Sequence, residues 1–197
     1  MNPYTEKLIK VCEKGDTDIV RQFIDKGADV NTTDQNGSTP LIYAAMHGFT
    51  DIARLLIDSG ADINKKNKLG NTALIYACWK NQIGMVKLLT LRGADVNIKD
   101  NTGETPLTYA SKNGMIDIAK LLIEAGADIN TSDRSGNTPL IYACRYKYTG
   151  LINLLLEKGA DPFIKNRENK SPVDIVREFK LLRILEVMLS KKGNIQP

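Results

Sequence analysis

The sequence contains few of the residues from which catalytic and metal sites are usually built. It has one histidine, His47, one tryptophan, Trp79, and three cysteines. Histidine-based catalysis and histidine-rich metal sites therefore lack their usual groups. The chain also has no P-loop and no Gly-x-Gly-x-x-Gly segment, the two common phosphate-binding signatures. We expect no enzymatic activity, no cofactor and no metal site.

Long apolar segments are also missing. No stretch approaches the roughly 18 apolar residues that a membrane-spanning helix needs, and short runs such as 154–156 are flanked by charge. The first ten residues contain charges and no apolar core of a secretion signal. We expect no membrane insertion and a cytoplasmic location. The net charge of +4 is too small by itself to indicate nucleic acid or an anionic membrane as partner.

The three cysteines, Cys12, Cys78 and Cys144, lie 66 residues apart from one to the next. An odd count disfavours a closed disulfide framework. If the chain repeats every 33 residues, these cysteines occupy one repeat position in alternate units. Helical layers stack about 8–10 Å apart, so these sulfurs are too distant for a disulfide or a shared metal. We expect small, buried, reduced thiols, which fits a reducing compartment.

The residues that are present follow a period of 33. Gly-Ala-Asp occurs at 27–29, 60–62, 93–95, 126–128 and 159–161. Thr-Pro-Leu or a close variant occurs at 39–41, 72–74, 105–107, 138–140 and 171–173. Two further positions hold Asn31, Asn64, Asn97 and Asn130, and Gly37, Gly70, Gly103 and Gly136. Chance does not keep several such positions in phase, so the chain repeats one supersecondary unit.

One unit, residues 34–66, illustrates the local structure that we predict. Residues 34–37 (Asp-Gln-Asn-Gly) have the signature of a type I turn. Thr39 caps a short helix that begins at Pro40, where a missing N–H costs nothing. Gly48 ends this helix in a left-handed conformation. A second helix runs from about residue 51 to residue 59, and an extended segment leads to the next turn.

The aliphatic repeat positions predict the core. Two positions of the second helix lie four residues apart on one face. The first of these positions holds Ile19, Ile52, Met85, Ile118, Leu151 and Ile184. The second holds Phe23, Leu56, Leu89, Leu122, Leu155 and Met188. One unit cannot enclose such a face alone, so neighbouring units must stack.

With these motifs and this period, the sequence resembles the ankyrin repeats. The resemblance covers essentially the whole chain and implies an all-α solenoid of stacked helix-turn-helix units with β-turn or hairpin connections. It predicts a single domain of residues 1–197. Its parts are an N-terminal capping unit at 1–33, internal repeats at 34–66, 67–99, 100–132 and 133–165, and a C-terminal cap at 166–197.

The sequence departs from the family pattern at two repeat positions. The family usually has a histidine after Thr-Pro-Leu, which ties the turn to neighbouring backbone. That position holds Ile42, Ile75, Thr108 and Ile141, so we expect the tie to be absent and the turns to be less stiff. The glycine between the helices is replaced by Asn81 and Lys147. Lysine tolerates a left-handed conformation less well than asparagine, which predicts a locally different loop at Lys147.

Neither catalysis nor nucleic-acid binding is favoured by the remaining charged residues. His47 is predicted to be a solvated surface residue. The Asp of each Gly-Ala-Asp lies about one layer from the next, too far for paired acid–base work, and we expect it to accept local backbone hydrogen bonds. Lys65, Lys66 and Lys68 cluster at one turn. Acidic residues interleave with the basic ones at these turns, so we interpret the lysines as a solubilising rim and expect no nucleic-acid partner.

The resemblance places partner contacts at the turn tips and at the end of each first helix. Trp, Tyr and Arg, the residues enriched at interface hot spots, occupy several of these positions. The partner-binding residues that we predict are Met46, His47, Leu69, Tyr76, Trp79, Lys80, Tyr109, Lys112, Arg134, Arg145 and Tyr146.

The predicted function is a non-enzymatic, monomeric module that binds another protein on the concave face formed by turn tips and first helices, without a small-molecule substrate. The alternative is a structural or inhibitory subunit of a larger complex, and association with nucleic acid is less favoured. Two residue-level alternatives stay open. Trp79 could pack half-buried over the neighbouring unit, and the tyrosines at 43, 76, 109 and 142 could be packing rather than binding residues.

Overall fold

The computed structural model describes residues 2–190, and within this range the fold is all-α, with no strand. The helices come in pairs that repeat every 33 residues. The first helices are α1 (Pro3–Lys14), α3 (Pro40–His47), α5 (Ala73–Trp79), α7 (Pro106–Lys112), α9 (Pro139–Arg145) and α11 (Pro172–Glu178). The second helices are α2 (Thr17–Asp25), α4 (Thr50–Asp58), α6 (Ile83–Leu91), α8 (Ile116–Glu124), α10 (Thr149–Glu157) and α12 (Leu182–Ser190). The predicted all-α repeat fold is confirmed. Residues 191–197 of the predicted C-terminal cap lie outside the described range.

The chain divides into two compact units, residues 1–101 and 102–197. In the first unit, α3 packs between α1 and α5, and α4 packs between α2 and α6. In the second unit, α9 packs between α7 and α11, and α10 packs between α8 and α12. Each unit therefore has one layer of first helices and one layer of second helices, with the aliphatic residues between them.

Side-chain oxygens begin the first helices, as the sequence predicts. The hydroxyl of Thr39 accepts a hydrogen bond from the N–H of Ile42 at 3.2 Å, which satisfies one of the N–H groups that a helix leaves without a partner. The same bond is made by Thr72, Thr105, Thr138 and Ser171. Asn2 caps α1 through the N–H of Tyr4, although the N-terminal capping unit at 1–33 lacks Thr-Pro-Leu.

The predicted core positions are buried in the internal repeats, but the prediction fails in the N-terminal capping unit. Leu41, Leu74, Leu107 and Leu140 of the first helices are buried, as are all predicted second-helix residues from Ile52 onwards. Ile19, however, is 37% exposed, and Phe23 is only half-buried. The prediction for Ile19 is wrong because α2 lies at the end of its layer in the described residues, next to α4, whereas α4 packs between α2 and α6. Val20 is the buried residue of α2.

The loop at Lys147 has the same geometry as its equivalents, contrary to our expectation. Its φ of 59° is left-handed, like the 75° of Gly48 and the 56° of Asn81. A left-handed conformation costs a residue with a Cβ about 1–2 kcal/mol. The ammonium of Lys147 lies 4.3 Å from the ring centroid of Phe179, a cation–π contact that offsets part of this cost. The repeat geometry therefore overrides the preference of the residue.

The three cysteines are free and buried, as predicted. Burial raises the pKa of the Cys12 and Cys144 thiols to about 12, and it also raises the pKa of Cys78. A thiol attacks as its thiolate, so these groups are inert as well as inaccessible. They serve as small apolar residues of the core.

Successive turns approach closely enough to exchange a backbone hydrogen bond. In the first unit, Lys68 N–H donates to the carbonyl of Asn36 at 2.8 Å, and Asn101 N–H donates to that of Leu69 at 3.0 Å. Gly70 lies at this approach with a φ of 80°. A Cβ on Gly70 would lie 2.7 Å from the backbone nitrogen of Asn101, closer than real Cβ contacts. The glycine is thus required both by its backbone angle and by the neighbouring turn.

Gly70→Ala should destabilise the protein more than Gly60→Ala does. Both glycines are left-handed, but a Cβ on Gly60 would have no neighbour within 4 Å. We expect a loss of about 1 kcal/mol for Gly60→Ala from backbone strain alone, and a further 1–3 kcal/mol, roughly, for Gly70→Ala from the clash. Urea unfolding followed by circular dichroism measures both. Equal losses would contradict the close approach of the turns.

The native protein should not react with Ellman's reagent at about pH 8, because its thiols are buried and protonated. All three cysteines should react at once in guanidinium chloride. We expect the native reaction to be at least about a hundredfold slower than the reaction of the unfolded chain. Rapid labelling of any one thiol in the native state would contradict the burial of that residue.

Candidate functional site

An Asp or Asn side chain closes the turn at residues 34, 67, 133 and 166. Oδ1 of Asp34 accepts hydrogen bonds from the N–H groups of Asn36 at 2.8 Å and Ser38 at 2.7 Å. The same pair of bonds, to residues two and four positions further on, is made by Asn67, Asp133 and Asn166. Such local bonds compete with helix formation and hold a turn. The turn tips are therefore held in place from within.

The other terminal atom of this side chain binds a tyrosine of the following helix. The Tyr43 hydroxyl donates to Oδ2 of Asp34 at 2.9 Å, and the Tyr142 hydroxyl donates to Oδ2 of Asp133 at 2.6 Å. In the repeat at 67–99, Nδ2 of Asn67 donates to the Tyr76 hydroxyl at 3.0 Å. The histidine tie of the family is absent, as expected, but another bond joins turn and helix. The tyrosine four residues after the capping threonine supplies it.

These bonds decide between the two interpretations of Tyr76. Its ring is only 7% exposed, as is that of Tyr142, and both hydroxyls are hydrogen-bonded. The geometry favours packing over partner contact for both residues. Tyr109 is half-buried, and the Lys112 ammonium lies 5.8 Å from its ring centroid.

Burial and a bonded carboxylate both act on the tyrosine hydroxyls. Burial first, and then the hydrogen bond to Asp34 and its negative charge, raise the pKa of Tyr43 to about 12. The pKa of Tyr142 is raised by the same causes, with Asp133 as the partner. The neutral phenol is the form that the fold stabilises.

Asn31 and Asn64, each the last residue of a Gly-Ala-Asp-x-Asn motif, join neighbouring repeats. Oδ1 of Asn31 accepts from the N–H of Asp62 at 2.7 Å, and its Nδ2 donates to the carbonyl of Gly60 at 3.0 Å. Asn64 accepts in the same way from Asp95. The Asp side chain itself accepts from the N–H two residues on, at 3.0 Å in Asp62. As predicted, these carboxylates serve local backbone bonds.

Trp79 is a large exposed side chain of the first unit. It ends α5 and is 50% exposed. Its ring centroid lies 5.9 Å from that of Tyr76, and the Lys80 ammonium lies 4.4 Å from the indole centroid. Trp79 is therefore supported from within by Tyr76 and capped by Lys80, and half of its surface still meets solvent. The contacts of the ring lie within its own repeat, and a partner contact of Trp79 stays a prediction.

The other predicted residues of the first unit differ in exposure. Leu69 is 62% exposed at its turn tip. His47 is exposed and stacks on Phe49, with ring centroids 5.6 Å apart, and Met46 is half-buried. We name Met46, His47, Leu69, Trp79 and Lys80 the first-unit surface.

The predicted residues of the second unit carry paired charges. Lys112 Nζ lies 2.6 Å from Oε1 of Glu104, and Arg145 lies 3.5 Å from Glu168. Tyr146 is half exposed, and its ring centroid lies 6.0 Å from that of Tyr148. Arg134 is exposed at its turn tip. We name Lys112, Arg134, Arg145 and Tyr146 the second-unit surface.

Two apolar features lie outside the predicted residues. Leu91, at the end of α6, is 74% exposed. The same repeat position holds Asp25, Asp58, Glu124 and Glu157 in other units. The leucine at an otherwise acidic position could have indicated this exposed apolar residue from the sequence. In the second unit, a cavity of about 660 Å³ between α10 and α12 is lined by Leu181, Ile184 and Val187, with Lys180 and Arg183 also in its wall.

Within residues 2–190, no group of three His, Cys, Asp or Glu side chains is placed to hold a metal ion. The described helices also include none that is long and apolar enough to cross a membrane. The imidazole ring of His47 stacks on the ring of Phe49.

A family model described as ankyrin repeats (3 copies) matches residues 8–100 and 85–166. No curated protein matches the chain.

Tyr43→Phe should make stability less dependent on pH in the alkaline range. The folded-state pKa of Tyr43 is about 12, and that of an unfolded tyrosine is about 10. The contribution of Tyr43 is thus complete below pH 10 and is lost as the pH rises to about 12.

Urea unfolding at several pH values between about 9 and 12 measures this difference. The free energy of unfolding should fall less steeply for Tyr43→Phe than for the wild type. Asp34→Asn, which reproduces the Asn67–Tyr76 pair, should give an intermediate slope because it removes only the negative charge. Identical slopes in all three proteins would contradict the role of the Asp34–Tyr43 bond.

Proposed function

This chain belongs to the ankyrin-repeat family, and on that premise we propose that it is a binding module whose first-unit surface docks another protein. Ankyrin repeats are generally protein–protein interaction modules, and the family is typically non-enzymatic. The proposal goes beyond the family in naming the surface and the residues that make the contact.

The observation that carries the proposal is the exposure of Trp79 and Leu69. Leu69, Trp79 and Leu91 are the large apolar side chains of residues 67–99 that are half exposed or more. Of these, Leu69 and Trp79 lie at the turn tip and at the end of the first helix, the two places where the ankyrin resemblance puts partner contacts. Tryptophan is among the residues that dominate interface energies when they become desolvated. Exposure of this kind is typical of an interaction site.

The surrounding structure prepares this surface for binding. The ring of Tyr76 packs against the indole of Trp79. The bond from Asn67 to the Tyr76 hydroxyl joins this helix to the turn that carries Leu69. Because the contact residues sit on an element that is already ordered, little conformational entropy is lost on binding. Affinity then comes from burial of the indole and the leucine.

The second-unit surface is proposed as a further contact area of lower affinity. Tyr146 is its exposed aromatic residue, but Lys112 and Arg145 are already engaged by carboxylates. An intramolecular ion pair must be broken or buried when such a residue binds, which reduces the gain. We therefore assign the main contact to Trp79 and an auxiliary contact to Tyr146.

We further propose that the protein acts as a monomer in the cytoplasm and without a small-molecule substrate. Three free, buried cysteines support a reducing compartment.

Trp79→Ala should abolish most partner capture while leaving the fold intact. Truncation of a hot-spot residue costs about 2 kcal/mol or more, roughly a thirtyfold loss of affinity. Capture from cell extract by the immobilised wild type, followed by quantitative mass spectrometry, measures the change. We expect a smaller loss for Tyr146→Ala.

The matched control is Leu91→Ala, which removes an exposed apolar side chain from another helix of the same unit. This variant should capture the same proteins as the wild type, and all variants should melt cooperatively at similar temperatures. Equal capture by the wild type and a folded Trp79→Ala variant would remove the proposed surface.

A further inference from the structure

The lysines around the first-unit surface lack neutralising partners. Lys66, Lys68 and Lys80 are exposed and Lys65 is half-buried. Within residues 2–190, none of these four ammonium groups forms an ion pair. The ion pair of the first unit that the structure describes joins Arg92 to Asp58, away from the turn tips.

Three cations of the second unit, at other repeat positions, are paired with carboxylates. Lys112 pairs with Glu104, Arg145 with Glu168 and Lys170 with Glu178. The contrast is clearest at the end of the first helix, where Lys80 lies next to an exposed indole and Lys112 lies against a carboxylate. The first-unit surface therefore combines the exposed side chains of Trp79 and Leu69 with nearby lysine ammonium groups that form no ion pair within the described residues.

The Lys80 ammonium is also held in position. It lies 4.4 Å from the centroid of the Trp79 ring, where the negative face of the indole attracts it. A cation held in this way loses less side-chain entropy when it binds a carboxylate than a freely moving lysine does. The part of the indole that stays exposed accepts an apolar side chain beside that carboxylate.

We propose that the partner of the first-unit surface is an acidic protein segment, in which aspartate or glutamate residues flank a large apolar side chain. The apolar residue packs on the exposed part of Trp79 beside Lys80, and further carboxylates of the same segment pair with Lys80 and, at the turn tip that carries Leu69, with Lys68. Charge complementarity selects this occupant, because opposite potentials steer association and suppress wrong partners. The inference rests on the proposed function and names the chemistry of the partner.

A protein segment fits this surface better than single-stranded nucleic acid. Sequence-tolerant binding of nucleic acid needs several aromatic faces on which successive bases stack. In the described part of the first unit, Trp79 is the exposed large aromatic residue. Lys80 already covers one face of its ring. A carboxylate and an aliphatic side chain can use this arrangement without displacing the lysine.

Selection from a random dodecapeptide library displayed on phage tests the proposal, with the immobilised full chain as bait. The selected peptides should contain about twice as much Asp and Glu as the unselected library. Trp79 is the only tryptophan of the sequence, so its fluorescence reports binding of the synthetic peptides directly. Added salt should weaken this binding.

Two charge variants make the test specific. Lys68→Gln/Lys80→Gln should bind the selected peptides about five- to tenfold more weakly, the effect of losing two exposed ion pairs. Lys87→Gln, which removes an exposed charge from α6 of the same unit, should bind them as the wild type does. Thermal melting should be unchanged in both variants.

Several results would overturn the proposal. They are a selection that yields no peptides or peptides without an acidic excess, equal binding by the double lysine variant, and stronger quenching of Trp79 by oligothymidylate than by the peptides. Peptides that lack acidic residues but still need Trp79 would overturn the acidic partner alone. Peptides that bind Trp79→Ala as tightly as the wild type would remove the proposed surface itself.

Discussion

The structure depends on the hydrogen bonds of one side chain per turn. Oδ1 of the Asp or Asn that opens the turn accepts two backbone N–H groups, and the other terminal atom reaches a tyrosine in the next helix. These bonds satisfy backbone groups that would otherwise have no partner in a segment without strands. They also set the angle at which the helix leaves the turn, so that Gly70 can meet the next turn at backbone contact distance.

These bonds leave the exposed turn tips and helix ends free to vary in residue type. Where a turn is closed by its own Asp or Asn and the first helix is capped by its own threonine or serine, the exposed positions are not needed for these bonds. Turn tips and helix ends then accept residues such as Leu69 and Trp79, which a helix face or a buried turn could not expose without loss of stability. Rigidity of the repeat and chemical variety of its surface are consequences of the same bonds.

The success of prediction differed between repeat positions and individual residues. Thr39, Pro40 and Gly48 predicted helix starts and ends correctly, because capping is a local property of a few neighbouring residues. The predictions for Ile19 and Lys147 were wrong, and the sequence left two interpretations of Tyr76. The exposure of Ile19 depends on the place of α2 at the end of its layer, the φ of Lys147 is imposed by the two helices that it joins, and the bond of Tyr76 reaches back nine residues to Asn67. None of these three is a local property.

The sequence by itself determined the period of 33, the helix pairs and their ends, and the free cysteines, because each of these follows from residues that recur in phase. Only the tertiary structure decided which aromatic side chains stay in solvent and which cations are neutralised. Trp79 and Tyr76 lie three residues apart, yet one is half exposed and the other is buried. Lys112 has a carboxylate partner and Lys80 has an indole. These outcomes depend on how side chains of turn and helix meet in space, which repeat spacing does not encode.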